Sequence, residues 1–208
     1  MKSVIIDCGL GNITSIKNML RKSGAKEVEV SDSINEIKLA DKLILTGVGS
    51  FDSGIEALFK KGLIEILEEK AFKDKVPFLG ICLGMQLLLN KSEEGCREGL
   101  GWIEGESKKF TIVNEELKVP HMGWNEVEAK MQHPLNGQPS LPNRFYFVHS
   151  YYVNCKSKNV LMSTNYGEDF TSAIIKDNIV GVQFHPEKSH CFGVEFFKNF
   201  LEWIPEPC

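Results

Sequence analysis

Val76-Pro77-Phe78-Leu79-Gly80-Ile81-Cys82-Leu83-Gly84-Met85-Gln86 is an apolar run that reads as a buried strand stopping at Gly80. A helix restarts beyond it, through Met85-Gln86-Leu87-Leu88-Leu89. The Gly-Ile-Cys-Leu-Gly join is the cysteine counterpart of the strained strand-to-helix turn that presents a nucleophile in Gly-x-Ser-x-Gly enzymes. Its glycines have a steric reason: a turn this tight brings other backbone close, and a side chain at Gly80 or Gly84 would collide with it. Cys82 then sits at a helix N-terminus, which favours thiolate over thiol. The Leu83 N–H, in the first helical turn, can donate to an oxyanion on the attacked carbon. A buried, inert cysteine in a glycine-punctuated turn is the competing reading.

The chain on either side supplies the frame. Val4-Ile5-Ile6, Glu27-Val28-Glu29-Val30 and Leu43-Ile44-Leu45 read as strands. Between them fall a helix with Ile13, Ile16 and Leu20 on one face, stopped at Gly24, and a short one over Ile34, Ile37 and Ala40. Ile55 to Phe72 reads as a helix broken near Gly62. This alternation predicts an α/β fold with a mostly parallel central sheet covered by helices. Ligands collect at the C-terminal strand ends of such sheets, which aligns the loops at 9–11 and 47–49 with the Cys82 turn. Strands dominate the second half: Phe110–Val113, part of Val119–Val127, Phe145–Val153, Val160–Thr164, Ala173–Lys176 and Ile179–Phe184, the last two joined by a hairpin at Asp177-Asn178. A closing helix carries Val194, Phe197 and Leu201 on one face. With no linker or repeat, residues 1–208 are expected to form one domain with added antiparallel strands in its C-terminal half.

Composition narrows the partners. Of 208 residues, 42% are hydrophobic and 25% charged, as in an ordinary globular protein. A net charge of −4 gives no electrostatic case for nucleic acid or an anionic membrane. No run approaches a membrane span, and the N-terminal apolar stretch is too short for a signal peptide. Cysteines at 8, 82, 96, 155, 191 and 208 form neither a disulfide framework nor a Cys-x-x-Cys zinc pair. Gly9-x-Gly11 lacks the third glycine of a dinucleotide fingerprint, Thr14 standing there. A cytoplasmic protein without metal or cofactor is expected.

An activating base is sought among five histidines. His185 follows the strand Ile179-Val180-Gly181-Val182-Gln183-Phe184, and Glu187 stands two residues on, on the same face of an extended segment. A carboxylate there can hold one imidazole nitrogen while the other faces a thiol.

Together, Gly80-Ile81-Cys82-Leu83-Gly84-Met85-Gln86 and Gly181-Val182-Gln183-Phe184-His185-Pro186-Glu187 resemble the class I (triad) glutamine amidotransferases, with their flavodoxin-like fold. Asp7-Cys8-Gly9-Leu10-Gly11-Asn12, Gly47-Val48-Gly49-Ser50-Phe51, Pro120-His121-Met122-Gly123-Trp124-Asn125 and Tyr146-Phe147-Val148-His149-Ser150-Tyr151 are similar, within that class, to the glutaminase subunits of imidazole glycerol phosphate synthases. The resemblance implies hydrolysis of L-glutamine by a catalytic triad of Cys82, His185 and Glu187. It implies an oxyanion hole from Leu83 and the Val48-Gly49 peptide, and substrate contacts at Gln86 and Ser150. It also implies a heterodimer with a (βα)8-barrel cyclase through His121, Met122, Trp124, Tyr146 and Lys188, for ammonia channelling in histidine biosynthesis. Thr46, where the family has proline, Cys8, where it has tyrosine, and the tail His190-Cys191-Phe192-Gly193 depart from the pattern. They leave a second copy of the subunit, feeding ammonia to a bacterial surface-sugar amidotransferase, as the alternative. A cysteine hydrolase of the intracellular-peptidase-like group and a non-catalytic scaffold are the rival classes. His-Pro-Glu and Gln86 oppose the former, the intact triad the latter.

Overall fold

A computed structural model describes residues 1–9, 11–111, 117–137 and 143–205. In chain order these form β1 (Lys2–Ile6), α1 (Ile13–Lys22), β2 (Glu27–Ser31), α2 (Ile34–Lys38), β3 (Lys42–Gly47), α3 (Phe51–Lys60), α4 (Ile64–Glu68), β4 (Phe78–Cys82) and α5 (Leu83–Leu87). Then come β5 (Lys91–Ser92), β6 (Gly105–Lys109), β7 (His121–Ala129), β8 (Asn143–His149), β9 (Tyr151–Cys155), β10 (Val160–Tyr166), β11 (Glu168–Lys176), β12 (Ile179–Val182) and α6 (His190–Glu202).

The main sheet runs β2-β1-β3-β4-β12-β11-β10-β7-β8, with β5, β6 and β9 attached to one side through β11. β2, β1, β3, β4 and β12 are parallel, and the strands beyond β12 pair antiparallel. Side chains alternate across the parallel strands. Val4 and Ile6 of β1, Leu43 and Leu45 of β3, and Phe78 of β4 face a core under α3, α4 and α5. Ile5, Ile44, Leu79, Ile81, Val180 and Val182 face the other core, under α1 and α6. Burial on both faces is why these strands are continuous apolar runs rather than alternating ones.

Local chemistry sets the breaks. The Asn12 side chain caps α1 by accepting from the Ser15 N–H at 3.4 Å. Gly62, at φ +64°, separates α3 from α4 where the break was expected, and a short π-helical turn, Glu69–Lys73, follows α4. The Asp177-Asn178 hairpin is present, with Asp177 at φ +54° and the Asn178 amide donating to Ala71 O and Val76 O at 2.9 and 2.8 Å.

Several expectations are corrected. The strand expected over Phe110–Val113 lies earlier, at Gly105–Lys109; Phe110 is past its end and residues 112–113 fall outside the described chain. Phe145–Val153 is two strands, β8 and β9, that part at Ser150 and pair with different neighbours. α5 ends at Leu87, because the chain must turn there to enter β5. α6 exists, but its buried face is Gly193, Phe196, Phe197 and Phe200 rather than Val194 and Leu201. The larger phenyl rings bury more apolar area and set the rotation of the helix.

Candidate active site

The sheet places three strand ends side by side, since Gly47 pairs with Cys82 and Val182 with Ile81. They stand next to the reversal in strand order between β1 and β3, where α/β sheets open a crevice. Cys82 ends β4 with φ +54° and ψ −110°, a conformation that costs a non-glycine residue on the order of 1–3 kcal/mol. The surrounding packing keeps it. A Cβ at Gly80 would lie 2.6 Å from the Gly84 carbonyl oxygen and 2.9 Å from the Met85 nitrogen. One at Gly84 would strike the Leu45 carbonyl. Both glycines are therefore needed for the closeness of β3, β4 and α5, as the sequence suggested.

A cavity of about 310 Å³ opens at this point, lined by Gly47, Val48, Gly49, Cys82, Leu83, Gln86, Glu94, Pro120, Val148, His149, Ser150, Tyr151 and His185. It gathers Cys82, His185, the three expected oxyanion residues and both expected substrate contacts. A larger groove of about 660 Å³ lies away from it, against the outer side of β7, β8 and β10. That groove holds none of the expected catalytic residues.

His185 is 3% exposed and Glu187 8%. The Glu187 Oε1 lies 2.8 Å from His185 Nδ1, which donates to it. The pair comes together through a tight turn, Pro186–Lys188, rather than through the extended segment expected from the spacing. Four contacts hold that turn. The His185 N–H donates to Tyr146 O at 2.8 Å, the Ser189 hydroxyl donates to His185 O at 2.6 Å, and the Tyr146 N–H donates to the Ser189 hydroxyl at 3.0 Å. Gly193 of α6 completes it, because a side chain there would meet the Pro186 carbonyl. The second imidazole nitrogen, Nε2, is buried without a hydrogen-bond partner among the described residues. Burial opposes the charged ring, but the nearby Cys82 sulfur and the hydrogen-bonded Glu187 carboxylate outweigh it and raise the His185 pKa.

The Cys82 sulfur lies 4.0 Å from Val148 O and 3.7 Å from the Gln183 side-chain nitrogen. Gln86 is 5% exposed, and its amide nitrogen donates to Tyr151 O and to Gln183 Oε1 at 3.2 and 3.0 Å. Glu94 was missed by the sequence reading. No motif marks it, yet it reaches the cavity and fixes the start of α3 by accepting from the Phe51 N–H at 2.8 Å. Gln183 was passed over inside a motif read only for its histidine and glutamate.

The expected partner face divides. On the β7–β8 pair, Met122 and Trp124 point outward, 61% and 39% exposed. Trp124 stacks on His190 at 5.5 Å and meets Tyr146 edge-on, while the Lys188 ammonium lies 5.7 Å from the Tyr146 ring centre. His121, expected with them, is instead 2% exposed, on the inward side of β7 between Phe147 and Tyr166. Alternation along the strand separates it from its neighbours.

Comparison with known proteins agrees with this geometry. Residues 4–203 match the family "Glutamine amidotransferase class-I". The chain is 50% identical over 202 residues to imidazole glycerol phosphate synthase subunit HisH 2 of Pseudomonas aeruginosa, covering 97% of this chain and 99% of that one. It is 53% identical over 199 residues to the protein of the same name from Methanococcus maripaludis, covering 95% and 98%. A solved structure described as a glutamine amidotransferase superposes with a TM-score of 0.72 at 15% identity, covering 96% of this chain and 97% of that one, a likeness of fold. The chain belongs to the class I glutamine amidotransferase family, in the branch of the imidazole glycerol phosphate synthase HisH subunits.

Proposed function

We propose that this chain hydrolyses L-glutamine to L-glutamate and ammonia, and delivers the ammonia to a (βα)8-barrel cyclase as the glutaminase half of an imidazole glycerol phosphate synthase in histidine biosynthesis. The observation that carries the reading is the His185–Glu187 contact of 2.8 Å beside a strained Cys82 that lines the same cavity as His185. His185 takes the Cys82 proton, and the sulfur attacks the side-chain amide carbon of glutamine. Glu187 holds the imidazolium. The Leu83 N–H and an N–H of the Val48-Gly49 peptide receive the oxyanion. As the tetrahedral adduct collapses, the carbon–nitrogen bond breaks, and the His185 proton leaves with ammonia. Water then adds to the γ-glutamyl thioester, giving a proton to His185. Breakage of the carbon–sulfur bond releases glutamate, and the proton returns to Cys82. Gln86 and Ser150 contact the substrate, and the Glu94 carboxylate suits its α-ammonium group.

The outward Met122, Trp124, Tyr146 and Lys188 form the face we assign to the cyclase. Met, Trp and Tyr are residue types enriched at interfaces, and Lys188 suits the polar rim around them. His121 is left out of that face because it is buried. The surface-sugar alternative gains no support, since the relatives above are named as synthase subunits. We place the protein in the cytoplasm: Cys8, Cys82, Cys96, Cys155 and Cys191 are all free thiols, which suits a reducing compartment. Among the described residues no helix is long and apolar enough to cross a membrane.

Glutamate release from glutamine, measured with and without the barrel cyclase of the same genome and its nucleotide ligand, tests the reading. Strong stimulation is expected. Turnover that ignores the cyclase would overturn the assigned partner, and comparable turnover of asparagine or peptides would overturn the substrate.

A further inference from the structure

Behind the cysteine runs a buried series of amides and imidazoles of which only Gln86 has a place in the steps above. Gln183 is 0% exposed and lies between the end of β12 and His185, its backbone N–H donating to Ser172 O at 2.9 Å. Its side-chain nitrogen is 3.7 Å from the Cys82 sulfur, and its side-chain oxygen accepts from Gln86.

Which end of that amide meets the sulfur is decided by a backbone carbonyl further back. Tyr151 O can only accept, so the Gln86 atom 3.2 Å from it is the amide nitrogen. That nitrogen's other hydrogen goes to Gln183 Oε1, which turns the Gln183 N–H toward the sulfur. Tyr151 O takes a second hydrogen bond from His149 Nδ1 at 2.8 Å, which fixes the tautomer of that ring. His149 Nε2 must then accept from His121 Nδ1 at 2.9 Å, and His121 Nε2 from the Asn125 amide at 3.3 Å. Burial pushes His121 down to about 4 and His149 down to about 3, so both rings are neutral at neutral pH, as such a chain requires. A single direction of donation satisfies every link.

We propose that Gln183 is a positioning residue for Cys82, its side-chain N–H aimed at the sulfur by the series Gln86, Tyr151 O, His149 and His121. A donor at that place steadies a sulfur that carries negative charge; a carbonyl oxygen there would repel it. The consequence for turnover rests on the glutaminase reading, whereas the effect on the sulfur does not depend on the substrate.

The test follows alkylation of the full chain by iodoacetamide, read peptide by peptide, with the exposed Cys96 as internal reference. Gln183→Met keeps the length of the side chain and removes both its donor and its amide acceptor. It is expected to slow Cys82 alkylation about tenfold at pH 7, the weight of one hydrogen bond to a charged group, with Cys96 unaffected. Gln183→Glu supplies a donor only while its buried carboxyl is protonated. Its Cys82 rate is expected to track the unmodified protein at low pH and then fall as the carboxyl ionises beside the sulfur, a descending limb that simple packing would not create. An unchanged rate in the first variant, or an unchanged pH profile in the second, would overturn the proposal. Should neither fold, the ¹H–¹⁵N signals of the Gln183 side-chain amide decide. Protection from exchange and a shift on Cys82→Ala are expected; free exchange with no shift is the contrary result. A protein that alkylates as expected yet leaves glutamine intact would fail the glutaminase reading and not this one.

Discussion

Replacing Gly80 by alanine tests whether the elbow is held by close backbone packing. The added Cβ would lie 2.6 Å from the Gly84 oxygen, 2.8 Å from the Gly84 carbonyl carbon and 2.9 Å from the Met85 nitrogen, all three in backbone that cannot rotate away. Ordinary contact begins at 3.4 Å, so the turn after Cys82 must retreat by about 0.8 Å. Its retreat is blocked from behind, because Gly84 already sits against the Leu45 carbonyl. Overpacking of this kind costs about 1–3 kcal/mol, a fall of roughly 2–12 °C in melting temperature for a chain this size. The nucleophile moves with the turn. A displacement approaching 1 Å at a reacting atom lowers turnover on the order of 100-fold. Gly62→Ala is the control: nothing lies within 4 Å of its added Cβ, and only its φ of +64° resists, at about 1 kcal/mol. Melting curves and glutamine turnover of the two variants, with the cyclase present, are the assay. Gly80→Ala is expected to lose activity far more than Gly62→Ala. Equal, near-unmodified turnover in both would refute the steric account of the elbow.

Three further outcomes follow from the site and the core. Cys82→Ser is expected to abolish glutamine-dependent synthesis while synthesis from added ammonia continues, which a paired assay of the assembled enzyme reads directly. Glu187→Gln is expected to weaken glutamine hydrolysis by about 10- to 100-fold without erasing it, because the amide oxygen can still accept from His185 Nδ1 but no longer brings a negative charge to the 2.8 Å bond, an effect seen in kcat rather than in KM. Lys42 is 1% exposed, and its ammonium donates to Trp203 O at 2.7 Å, with no carboxylate bound to it among the described residues. Burial lowers its pKa from 10.5 to about 8, so the unfolded chain binds more protons between those values and stability is expected to rise with pH across that window. Denaturant titrations of Lys42→Met at a series of pH values are expected to show a flatter rise.

Much of this architecture is legible in the sequence because its elements are locally determined. The parallel strands other than the alternating edge strand β2 contain apolar runs, α1 carries a cap and a glycine stop, and the break at Gly62 needs no tertiary contact to be seen. Where tertiary pairing decides, the reading slips. Phe145 to Val153 is one apolar stretch, and only the different partners of β8 and β9 divide it at Ser150. The buried face of α6 depends on which aromatic rings meet Phe145 and Phe184, a matter of packing that Val194 and Leu201 did not reveal. The His185–Glu187 pair stood out because His-Pro-Glu is short and local, though its contact comes through a turn. Glu94 reaches the site from a segment whose local sequence has no catalytic pattern, and Gln183, inside the motif that ends in His-Pro-Glu, gains its meaning only from the sulfur it meets across the sheet. His121 misled for the opposite reason: it sits in a motif beside surface residues, and alternation along β7 sends it inward.

Attack of Cys82 on the side-chain amide carbon of glutamine is the step on which the rest of the proposed chemistry depends. A diazo-ketone norleucine analogue of glutamine, incubated with the protein and its cyclase and mapped to peptides, tests it most directly. The adduct is expected on Cys82, with the exposed Cys96 and Cys191 unlabelled, and protection is expected from glutamine but not from asparagine. No adduct on Cys82 with the partner present, or equal labelling of the exposed thiols, would contradict it.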